Sequence, residues 1–150
     1  MRRTSRPTGR LRGITASIRN GHPRAKADLG AISRALRRAT AGGGQSARRA
    51  EIILTDDATI SSLALRYRGC GGPTDVLAFE YTGDPSLAGE VAVSLDAAKR
   101  QARERSAPLS DELLLLCVHG LLHVSGQGDE SPADWRRMRT AEFETLARIL

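Results

Sequence analysis

Aromatic residues are scarce in this chain of 150 residues, with two Phe, two Tyr and one Trp. So few rings argue against the base-stacking platform that single-strand nucleic-acid-binding domains present. Cysteine is scarcer still. Cys70 lies in a glycine-rich stretch and Cys117 in an apolar one, which offers no disulfide framework and fits a reducing compartment. Cys117 reads as a small buried hydrophobe and Cys70 as a plain loop residue. Long apolar runs are missing: the longest, Leu113 to Val118, falls far short of the ~20 residues that a membrane span needs. The start, Met1-Arg2-Arg3-Thr4-Ser5-Arg6, is basic but lacks the apolar stretch and small-residue cleavage site of a secretory leader. These absences predict a soluble, cytoplasmic protein of one domain over residues 11–150, preceded by a loose basic tail over 1–10. No membrane partner is expected.

Lysine is also nearly absent, so arginine carries the positive charge. It does so unevenly: residues 1–49 hold a net +12, the remainder −6, and the whole chain +6. An arginine-dominated surface suits a polyanion, because each neutralised phosphate releases condensed counterions. A GC-rich genome would supply the same bias, so charge alone leaves nucleic-acid binding open.

The periodicities predict about four strands and about five helices. A first strand falls within Leu11 to Ile18. Leu29, Ile32, Ala35 and Leu36 recur at helical spacing between Ala25 and Thr40, and Gly42-Gly43-Gly44 stops that helix. Ala50 to Thr55 is a β-branched strand. Asp56-Asp57 can cap a following helix that buries Ile60, Leu63, Ala64 and Tyr67. Gly69-Cys70-Gly71-Gly72-Pro73 must be a loop, and strands follow at Val76 to Phe79 and Val91 to Val93. Ser94 caps a helix from Leu95 to about Arg105. The next helix has Asp111 and Glu112 in its first turn, where its dipole favours acids, and runs to His123. Being apolar all round, it should be the central buried helix. Ser131-Pro132-Ala133-Asp134 opens the last helix, with Trp135, Met138, Leu146 and Ile149 on its buried face.

The chemistry concentrates at the end of the apolar helix. His119-Gly120-Leu121-Leu122-His123 places two imidazoles one turn apart on one face, a spacing that lets both rings meet a single divalent ion, zinc above all. Ser125-Gly126 should turn the chain back and bring Asp129 to the same ion as the natural third ligand. Glu130 is its close competitor, and nothing local recommends His22. A metalloprotease of the His-Glu-x-x-His type carries its water-activating acid beside the first histidine; here that place is Gly120, so peptide hydrolysis lacks its base. The remaining candidate acids are Asp75 and Glu90. A helix-borne ion with open positions suits the polarisation of a water or a phosphoryl oxygen.

His119-Gly120-Leu121-Leu122-His123-Val124-Ser125-Gly126 resembles the signature of the YbeY family of bacterial endoribonucleases, His-Gly-x-Leu-His followed by Leu-x-Gly-Tyr-Asp-His. Tyr67-Arg68-Gly69 and then Pro73-Thr74-Asp75-Val76-Leu77-Ala78-Phe79 are similar to that family's Tyr-Arg, short basic loop and Pro-Thr-Asp-Val-Leu-Ser-Phe. Gly89-Glu90-Val91, Met138, Glu142 and the closing Ile149-Leu150 resemble further family positions, so that residues 50–150 are covered. The resemblance implies an α+β fold, a mixed sheet of about four strands packed with about five helices around a central buried metal-binding helix, and a metal-dependent endonuclease of single-stranded RNA. It would act in ribosomal RNA maturation, at the 3′ end of the small-subunit RNA, and in ribosome quality control. It implies that His119 and His123 bind one zinc ion, and that Arg68 faces the metal across a cleft and holds RNA phosphate, as a bidentate guanidinium can. Arg68 and His119 are thus the catalytic candidates, and His119, His123 and Asp129 the metal candidates. Three departures stand out: Asp129 replaces the family's third histidine, Cys70-Gly71 its loop Lys-Asp, and Ala64 its helix asparagine. The altered ligand opens a second reading, a ribosome-associated assembly factor that binds RNA without turnover. A hydrolase of small molecules or peptides is a third.

Overall fold

A computed structural model describes residues 11, 13–40, 47–69, 72 and 74–149. The basic tail over 1–10, the glycine stop at 42–44 and Cys70, Gly71 and Pro73 lie outside the described residues. The elements run β1 (Ile14–Asn20), α1 (Gly30–Thr40), β2 (Arg48–Thr55), α2 (Asp57–Arg68), β3 (Val76–Glu80), β4 (Leu87–Ser94), α3 (Leu95–Arg105), α4 (Leu109–Val124) and α5 (Pro132–Ile149). Four strands and five helices in a mixed sheet agree with the α+β expectation.

Local chemistry sets most boundaries. Asp56 accepts the Thr59 N–H at 2.9 Å and opens α2, and Gly69, at φ 70° in the left-handed region, closes it. The Ser94 hydroxyl accepts the Ala97 N–H at 3.0 Å to open α3, and Ser131 does the same for Asp134 at 3.0 Å to open α5. α4 has no such cap; it starts directly after Pro108, with Asp111 and Glu112 in its first turn.

The strand order is β1-β2-β4-β3. β1, β2 and β4 are parallel, with Ile18 opposite Ile52 and Ile52 opposite Val91, whereas β3 closes the edge antiparallel, with Ala78 opposite Val91. Alternation along β3 and β4 divides the core. Val91 and Val93 face the main cluster of Leu36, Leu113 and Leu121, and Leu77 and Ala92 face a smaller one under Ile60 and Ala64 of α2. α4 is the central helix: all its apolar side chains from Leu113 to Val124 are buried except the half-buried Leu115. Burial pushes the Cys117 thiol up to about 12, so it behaves as the inert hydrophobe its context suggested.

Two positions depart from the sequence reading. Tyr67 lies 62% exposed instead of buried, and Trp135 lies 50% exposed, its ring under the Arg139 guanidinium at 5.3 Å. Helical spacing assigned both to buried faces, but an amphipathic ring can pack on one side and keep the other wet.

Candidate metal centre

The last turn of α4 comes against the sheet edge, and Gly120 is what lets it approach. A Cβ at Gly120 would overlap the Val91 Cγ1 methyl of β4 and lie 3.2 Å from Val76 Cγ2 of β3. The absence of an acid beside His119 therefore has a steric cause, since no side chain fits between α4 and the sheet there. With the backbone so close, His119 and His123 emerge together at the rim of β3, half-buried.

Their ring nitrogens are set from both sides. Glu142 of α5, 3% exposed, takes His119 Nδ1 at 2.5 Å and the Arg139 guanidinium at 2.8 Å. With Nδ1 donating to a carboxylate, His119 presents the lone pair of Nε2 to the cleft. His123 Nε2 lies 3.0 Å from that atom. Burial first, and then the neighbouring His119, hold the His123 pKa below the ordinary 6.5, which favours the neutral, lone-pair-bearing imidazole. After α4, Gly126 adopts φ 97° and its N–H donates to the His123 carbonyl at 2.9 Å. The chain thereby turns back and brings Asp129 Oδ2 to 3.5 Å from His119 Nε2 and 3.3 Å from His123 Nε2.

This triangle fits a small divalent ion. Bonds of about 2.0–2.1 Å in a tetrahedral site put donor atoms roughly 3.3 Å apart, and the three edges here measure 3.0, 3.3 and 3.5 Å. Among the described residues, His119, His123 and Asp129 form the one such group. Glu130 lines the same cavity but stands outside the triangle. His22 is engaged elsewhere: its Nε2 meets Asp96 at 2.8 Å, and its Nδ1 accepts the Arg24 and Ala25 N–H groups.

The donors open onto a cavity of about 730 Å³ that Arg68, the last residue of α2, also lines, as do Thr74 and Asp75. Of the two acids left open by the sequence, Asp75 lines this cavity, steadied by Gln101 at 3.0 Å, and Glu90 lines a different one. Ala64, where the resembling family carries asparagine, is buried among Ile60, Leu77 and Ala92 and sends nothing into the cleft. Glu142 is the residue whose role sequence reasoning missed. Its signal was an acid among Met138, Ala141, Thr145 and Ile149, the one charged residue on that face.

The model of the family Endoribonuclease YbeY matches residues 25–150. Similar proteins bearing that name include one from Gloeobacter violaceus, 42% identical over 116 residues that make up 70% of this chain and 60% of that protein. One from Anaeromyxobacter is 36% identical over 138 residues, 90% of this chain and 71% of that protein, and one from Thermus thermophilus is 38% identical over 101 residues, 64% and 73%. The chain thus spans less than two thirds of the Gloeobacter protein and somewhat more of the other two. A Thermotoga maritima protein solved in solution matches 89% of this chain and 90% of its own at a TM-score of 0.57; at 23% identity it speaks for the fold alone.

Proposed function

The chain belongs to the endoribonuclease YbeY family, and from that premise we propose that it cuts single-stranded RNA by metal-dependent hydrolysis, with His119, His123 and Asp129 holding one zinc ion. The observation that carries the reading is that the three-donor triangle and Arg68 line one cavity. A divalent ion bound there supplies Lewis acidity to a phosphoryl oxygen or to a water. The protein's own groups do the rest. Arg68 grips the scissile phosphate and stabilises the charge that builds on it. Glu142 fixes the His119 tautomer, and Gln101 steadies Asp75 on the cavity wall. The RNA would be a ribosomal precursor, cut at the 3′ end of the small-subunit RNA, with a part in ribosome quality control, and the site of action the cytoplasm.

Asp129 in place of imidazole favours a second reading, an assembly factor that holds RNA on the small subunit without turnover. Cleavage of a labelled single-stranded RNA by wild type and Arg68→Ala separates the two. A hydrolase loses at least tenfold in rate with Arg68→Ala, whereas an assembly factor shows no metal-dependent cleavage in either form.

A further inference from the structure

The chain has five aromatic side chains in all, and three of them meet where the sheet is left uncovered. α2 crosses one sheet face over Leu77 and Ala92. Two residues along, on the same face, Phe79 pairs with Glu90, and Glu90 with Glu51; here Glu51 is exposed and Phe79 and Glu90 are only half-buried. The gap is a hollow of about 290 Å³ walled chiefly by Ile53, Leu63, Tyr67, Phe79, Tyr81 and Glu90. Tyr67 meets Phe79 edge to face, with centroids 5.2 Å apart at 67°. That contact leaves Tyr67 62% and Tyr81 37% exposed, with ring surface for a further planar partner.

We propose that this hollow is a stacking subsite for one unpaired nucleobase of the RNA strand whose backbone lies against Arg68. The inference rests on the RNA reading of the metal cleft and adds a second contact to it. Continuity is the first argument: Tyr67 and Arg68 are consecutive, one lining the hollow and the other the metal cavity. The edge strand repeats the arrangement, since Val76 and Ala78 line the metal cavity and Phe79 the hollow. A chain of nucleotides reaching from one to the other need only round β3, which among the described residues has no neighbouring strand on its outer side. Charge is the second argument. Glu90 in the wall and Glu51 beside it repel phosphate, so the group that enters is the neutral base, with Glu90 able to accept from its amino edge. Size is the third: the volume of about 290 Å³ falls just under the ~300–1,000 Å³ of ligand pockets, suited to one planar group rather than to a partner helix.

The test is a fluorescence-anisotropy titration of a labelled single-stranded RNA of about 12 nucleotides, with the RNA checked for intactness afterwards. Tyr67→Ala, a change at an exposed ring, should weaken binding about tenfold, the loss expected of one stacked base. Tyr67→Phe should bind within about twofold of wild type. A duplex of equal length, whose bases are already stacked, should bind both proteins alike. In a series of single abasic substitutions, at least one position should cost wild type affinity and cost Tyr67→Ala none. Undiminished single-strand binding by Tyr67→Ala, as a hollow serving a protein partner would give, overturns the subsite, and so does an equal loss on duplex. A wild-type protein that binds no single-stranded RNA overturns the reading of the metal cleft itself.

Discussion

Glu142 decides what His119 can be. A glutamine in its place, able to donate or accept, would release the ring to either tautomer and leave Arg139 without its charged partner at 2.8 Å. Glu142→Gln should therefore lower zinc affinity by about 10- to 100-fold, the usual cost of losing a carboxylate behind a metal-bound histidine, measured by titration against a chromophoric chelator. Asp129 is tested at the same scale. Asp129→Ala should lose most of the metal, Asp129→His should keep or tighten it, and Glu130→Ala, outside the triangle, should change little. Because a carboxylate ligand reduces the Lewis acidity of the ion, Asp129→His should also cleave RNA at lower pH than wild type. Full occupancy and unchanged cleavage in Asp129→Ala would remove Asp129 from the site.

Three elements stand under constraints that can be measured. In α4, Gly120→Ala gains about 1 kcal/mol of helix propensity but pushes a methyl into Val91, an overpacking that costs about 1–3 kcal/mol. Net destabilisation by about 1 kcal/mol in chemical denaturation is expected, and a gain would contradict the close approach of α4 to the sheet. At the N-termini of α2 and α3, Asp57 and Asp96 sit below their ordinary value of 3.8, Asp57 chiefly through Arg100 and Asp96 chiefly through the Asp57 N–H. A pKa lowered by folding contributes stability that is present above the unfolded value and lost as pH falls through the folded one. Asp57→Asn should accordingly show a smaller drop in unfolding temperature than wild type between neutral pH and about pH 3. These same elements show how far the sequence could be read. The caps at Asp56, Ser94 and Ser131 and the His119–His123 pair rest on contacts within a few residues, and all were legible. Glu142, the exposure of Tyr67 and Trp135 and the meeting of Tyr67 with Phe79 depend on which elements lie side by side. A single subsite needs rings in one place rather than many rings, so the scarcity of aromatics that argues against an extended stacking platform is compatible with the hollow proposed beside Tyr67.

Over the whole molecule the charge asymmetry, +12 in residues 1–49 against −6 in the remainder, should make RNA affinity fall steeply with salt. Replacing Arg34, Arg37 and Arg38, which are all exposed on α1, by Ala should weaken binding and flatten that slope. Removing residues 1–10 should lower affinity without unfolding the domain. Flat affinity between low and moderate salt would contradict the phosphate-contact account. The central claim, that a metal held by α4 and its returning loop cuts RNA, is tested most directly by following cleavage of a single-stranded RNA while metal content is measured. The account predicts close to one zinc per chain, loss of cleavage when a chelator strips it, and recovery when zinc is returned. Cleavage that persists in the metal-free protein, or a zinc-loaded protein that binds the RNA and leaves it whole, would contradict it.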